Sequence, residues 1–66
     1  MFKVLIKLNC TTNIIVNMKN EQLQEFKKNK QALTWLTLNK YTDDLKDETE
    51  INVNNITAIV YQPNHK

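Results

Sequence analysis

Glycine and arginine are absent from this chain of 66 residues, and cysteine, proline, tryptophan and histidine occur once each. Without glycine there can be no phosphate-cradling loop of the Walker or dinucleotide type, because those loops need backbone that a Cβ would block. Turns that require positive φ must fall to asparagine or aspartate, the next most tolerant residues. Without arginine the chain lacks the planar fork that dominates bidentate recognition of phosphates and bases. A lone Cys10 has no mate for an intrachain disulfide and points to a reducing compartment. One cysteine and one histidine, His65, do not make a four-ligand zinc site. No stretch approaches the roughly 18 consecutive apolar residues of a membrane span.

Size adds a further constraint. A chain this short buries only about 60% of the surface that it would expose unfolded, so small domains usually draw on disulfides, metals or partners. With disulfide and zinc poorly supplied, association is the remaining route.

What is present is patterned. Phe2, Val4, Ile6 and Leu8 alternate with Lys3, Leu5 and Lys7, the period of a strand with one buried face. After the polar turn 9–13, Ile14, Val16 and Met18 resume the alternation against Ile15, Asn17 and Lys19. The two runs predict an antiparallel hairpin. The lysines inside the first run, with no small-residue cleavage site after it, make it a strand rather than a signal peptide, and the expected location cytoplasmic.

Asn20 is the expected helix N-cap, with Glu21 and Glu25 early and Lys27, Lys28 and Lys30 late, as the helix dipole favours. Leu23 and Phe26 give a short buried stripe, and Asn29 is the expected left-handed closing residue. A helix of two to three turns does not stand alone in water and must lie on the sheet.

The stretch 32–38 is rich in β-favouring residues with apolar side chains in both phases, followed by a polar loop to Glu50. Ile51 and Val53 are in one phase and Ile56, Ala58 and Val60 in the other, so Asn54 and Asn55 must form a bulge or tight turn. The expected fold is α+β with order ββαββ: a four-stranded, mainly antiparallel sheet and one short helix on one face. Residues 1–62 form the single domain and residues 63–66 a flexible tail. The first hairpin turns a lysine-bearing face to water, but the last two strands are apolar on both sides. One short helix cannot cover both. The surplus predicts an interface at Leu33, Trp35, Ile59 and Tyr61, since aromatic residues concentrate at contacts; the plainer account is a sheet that curls to cover itself.

Charge divides along the chain. Residues 1–41 carry seven Lys and two Glu, and residues 42–66 two Lys and five acids, so +5 and −3 sum to the formal +2. Asp43, Asp44, Asp47, Glu48 and Glu50 read as a solvated loop with partner contact as the alternative. Their spacing does not match a calcium loop, and no glycine makes its sharp turn. Lys3, Lys7 and Lys19 are candidate anion contacts. A lysine face interleaved with Phe2, Trp35 and Tyr41 suggests binding to single-stranded nucleic acid, disfavoured by the missing arginine. Cys10 has no evident base to activate it, and the acidic loop looks too open to tune a carboxylate for acid–base work. Neither catalysis nor a cofactor is expected.

The segment Trp35-Leu-Thr-Leu, a polar loop, then Ile51-Asn-Val-Asn-Asn-Ile-Thr-Ala-Ile resembles short phage and prophage proteins of low-GC Gram-positive bacteria. Its closing segment is similar to that of flagellar FlbD-like proteins. The ten Asn, nine Lys and six Ile, all with A/T-rich codons, agree with such a genome. The resemblance implies a phage or mobile-element product and supplies no catalytic residues. The expected function is therefore a non-enzymatic binding protein that inhibits or regulates a host factor, such as an anti-phage defence component, by occlusion or ligand sequestration. Its partners would be a host protein, further copies of itself, or both, with no membrane. A nucleic-acid-binding accessory protein and a structural or assembly subunit are the alternatives.

Overall fold

The computed structural model describes residues 1–9 and 12–63, so the readings placed on Cys10 and His65 lie outside the described residues. The chain forms β1 (Phe2–Leu8), β2 (Asn13–Met18), α1 (Asn20–Ala32), β3 (Trp35–Thr37), β4 (Glu50–Asn52) and β5 (Ile56–Pro63), with single 3-10 turns at Leu38–Lys40 and Val53–Asn55. The fold is α+β and its strand pairs are antiparallel.

The hairpin of β1 and β2 follows directly from the period of two. Val4 pairs with Val16 and Ile6 with Ile14, so Val4, Ile6, Val16 and Met18 meet on one face and are fully buried there. On the same face, α1 contributes Leu23 and Phe26. The helix begins at its expected cap, Asn20, so the cap itself lies one residue earlier. Lys19 occupies the N-cap position, and the Gln22 side chain accepts from its backbone N–H at 2.9 Å. Nor does α1 close at Asn29. Lys30, Gln31 and Ala32 are good helix formers and carry it on, Leu33 N–H donates to Asn29 C=O at 2.8 Å, and the chain leaves extended at Leu33. The Asn29 side chain instead donates to the Tyr41 hydroxyl at 2.8 Å.

The expected single four-stranded sheet is replaced by two sheets. One has the order β2-β1-β5, and the other is the ribbon β3-β4. The run expected as one closing strand is divided where the phase changes. The Asn52 side chain accepts from Asn54 N–H at 2.8 Å, tightening the 3-10 turn Val53–Asn55, and the chain passes from β3 as neighbour to β1. Asn52 does this with a side-chain acceptor at φ −87°, not with positive φ. The Asn55 carbonyl then accepts from Asn9 N–H at 2.9 Å, which fixes the start of β5 beside the end of β1.

This division also answers how one helix can suffice. The β3-β4 ribbon does not need covering on both sides, because its inner residues Leu36 and Ile51 join the same core, with Leu38 and Tyr41. The Tyr41 ring, 3% exposed, meets Phe26 edge to face at 5.6 Å between centroids. Ribbon, loop and helix together make the second layer over the three-stranded sheet.

Candidate interaction surfaces

Strand register decides which side chains reach the outside. On β5, Tyr61 pairs with Val4 and Ile59 with Ile6, so both lie on the core face of the sheet and are half-buried against the core. Lys27 Nζ sits over the Tyr61 ring, 4.6 Å from its centroid, a distance at which the ring quadrupole attracts a cation. Burial raises the Tyr61 pKa above the usual tyrosine value of 10.0. A bulge where Lys7 pairs with Ala58 and Leu8 with Ile56 leaves Thr57 over, its hydroxyl donating to the Lys7 carbonyl at 3.2 Å. The extra residue returns Ile56 to the face of Ile59.

The outer face of the sheet is therefore defined by the other phase. Leu5 lies directly between Ile15 on β2 and Val60 on β5. Ile15 is 56% and Val60 37% exposed, and Lys3 and Lys7 flank Leu5 along β1. This apolar row with cationic flanks was not singled out from sequence, although the alternation of Leu5 and Ile15 with lysine and asparagine carries its signal. Lys19 lies past the end of β2, exposed, as the residue before α1.

Leu33 and Trp35 are found elsewhere. They are 50% and 58% exposed, while Leu36 and Leu38 of the opposite phase are buried. Trp35 pairs with Asn52 and Thr37 with Glu50, so these four share the outer face of the ribbon. The four residues expected as one patch thus divide into Leu33 at the end of α1 and Trp35 on the ribbon, both exposed, and Ile59 with Tyr61 against the core.

The acidic segment is an ordered connection. Asp44 Oδ2 accepts from the Asn17 backbone N–H at 2.6 Å and from the Asn17 side chain at 3.2 Å, while the buried Thr42 hydroxyl donates to the Asn17 carbonyl at 2.7 Å. Asn39 is the hub of the rest: its amide donates to the Asp47 carbonyl at 3.0 Å, and its oxygen accepts from Thr49 N–H at 2.8 Å. Asp43, Asp47, Glu48 and Glu50 point to solvent. No group of three metal-ligating side chains converges among the described residues. Of the aromatic residues considered for base stacking, Tyr41 is buried and Phe2 packs on the core, which leaves Trp35 as an open ring.

The chain matches no protein-family model, no curated protein and no solved structure.

Proposed function

We propose that the protein is a non-enzymatic binding protein whose partner contact is the outer face of the β3-β4 ribbon. The observation that carries this reading is the exposure of Trp35, the single tryptophan of the chain, two residues after the exposed Leu33. Tryptophan is among the residue types most often found at energetic centres of interfaces, where its area is buried in a partner's pocket. Glu50 shares the face, so the complementary surface is an apolar pocket with a basic flank. The resemblance to phage and prophage proteins supports a host protein as that partner, with inhibition by occlusion as the consequence. The nucleic-acid alternative has less support, because two of its three stacking rings are spent in the core.

Immobilised protein is exposed to low-GC Gram-positive lysate beside Trp35→Ala and Asp43→Ala variants. Stoichiometric retention of one protein by wild type and Asp43→Ala, lost by Trp35→Ala, supports the reading. Equal retention by all three contradicts it.

A further inference from the structure

The two edges of the three-stranded sheet are treated differently. On β2, the N–H and C=O of Asn17 point away from β1, and both are taken, by Asp44 and Thr42. Backbone groups alternate in direction along a strand. With Asn17 pointing outward, Val16 pairs toward β1, Leu5 of β1 points toward β5, and Val60 pairs back to it. Ile59 and Tyr61 must then aim their N–H and C=O groups at the free edge of β5. Among the described residues, no backbone or side-chain partner meets those groups.

An open edge of this length is usually blunted by charge, by proline within the strand or by a covering loop. Residues Ile56–Pro63 carry no charge, and the one proline is terminal. We propose that two copies of this chain pair through their β5 edges, antiparallel about a two-fold axis at Val60, to form one six-stranded sheet of order β2-β1-β5-β5-β1-β2.

The strand is complementary to itself in this register. Ile59 faces the partner's Tyr61, and the two exchange both backbone bonds on each side of the axis. Pro63, which has no N–H to donate, falls opposite the partner's Thr57, the bulged residue whose ladder is already irregular. A foreign strand has no reason to match these two ends. The charges carried on the strands are also compatible. Lys7, Ala58 and then the partner's Gln62 and the partner's Lys3 form one row, which places the two ammonium groups about 14 Å apart at ordinary strand spacing. That exceeds the screening length of about 8 Å at physiological salt. On the outer face, the row Ile15–Leu5–Val60 continues across the axis into its own copy. The pairing does not rest on the Trp35 contact, which lies on the other sheet.

Mass is measured by light scattering and sedimentation at about 10–200 µM, the range in which moderate homodimers of μM affinity form. Wild type and Ile15→Lys are expected to be dimers. Val60→Lys, which puts two cations on the axis but points out of the fold, is expected to dissociate at least tenfold more readily with an unchanged circular dichroism spectrum. In a Cys10→Ser background, Val60→Cys is expected to cross-link on mild oxidation, since Cα atoms of such a pair lie about 4.5 Å apart, and Ile15→Cys is not. Monomeric wild type throughout the range, dimerisation of Val60→Lys equal to wild type, or Ile15→Cys cross-linking as readily as Val60→Cys would each overturn the proposal. Trp35→Ala is expected to leave the mass unchanged, so loss of the partner contact and loss of the dimer are distinguishable.

Discussion

Asp44 reaches across 27 positions of sequence to accept the backbone N–H of Asn17 at 2.6 Å, and this bond closes the β2 edge of the sheet. A short charge-assisted bond to a backbone amide is among the stronger kinds. It makes one member of the acidic segment a structural clamp, while its neighbour Asp43 stays in solvent.

Asp44→Ala should therefore cost about 1–2 kcal/mol of unfolding free energy, the range for losing a hydrogen bond to a charged group at a partly solvated site. Asp43→Ala should stay within about 0.5 kcal/mol of wild type, as surface substitutions usually do. Urea unfolding followed by far-UV circular dichroism separates the two. Equal effects would remove the clamp.

Helix and loop are joined by the bond from the Asn29 amide to the Tyr41 hydroxyl. A double-mutant cycle of Asn29→Ala and Tyr41→Phe should show a coupling of about 0.5–1.5 kcal/mol. Strict additivity of the two would mean that the bond contributes nothing to stability.

The hairpin and the stripe of Leu23 and Phe26 were legible because their signal is periodic and local. The ribbon was not. Nothing in the letters of Trp35-Leu36-Thr37 says that they pair with Glu50-Ile51-Asn52 alone and not with the larger sheet, since pairing choice depends on contacts distant in sequence. The phase break at Asn54 and Asn55 was legible as a turn, but not as a change of sheet. The bulge at Thr57 was hidden as well. It puts Ile56 and Ile59 on one face although their spacing assigns them to opposite ones, so Tyr61 is directed inward and Val60 outward. The helix end was misplaced for a simpler reason: Asn29 looked like a substitute for the missing glycine, while its side chain had a partner in Tyr41.

Trp35 should behave as a solvent-exposed indole. Its fluorescence should be red-shifted and readily quenched by acrylamide, and Trp35→Ala should change stability by no more than about 0.5 kcal/mol. A blue-shifted, protected emission in the isolated protein would show that the ribbon face is already covered.

Tyr61 should titrate above the ordinary tyrosine value, because burial disfavours the phenolate. Its folded pKa is raised, so its contribution to stability is present below the unfolded pKa and is lost as pH rises through the folded value. In a Tyr41→Phe variant, ultraviolet absorbance should show a phenolate transition above pH 10, with unfolding easier beyond it. A transition at or below the value of free tyrosine would contradict the packing assigned to β5.

Amide hydrogen exchange along β5 tests the central claim most directly, because it reads the open edge residue by residue. Ala58, Val60 and Gln62, which bond to β1, should be protected at every concentration. Ile59 and Tyr61 should be protected at high protein concentration and exchange rapidly on dilution or in Val60→Lys. Ile59 and Tyr61 amides that exchange rapidly at every concentration would contradict the pairing of β5 with its own copy.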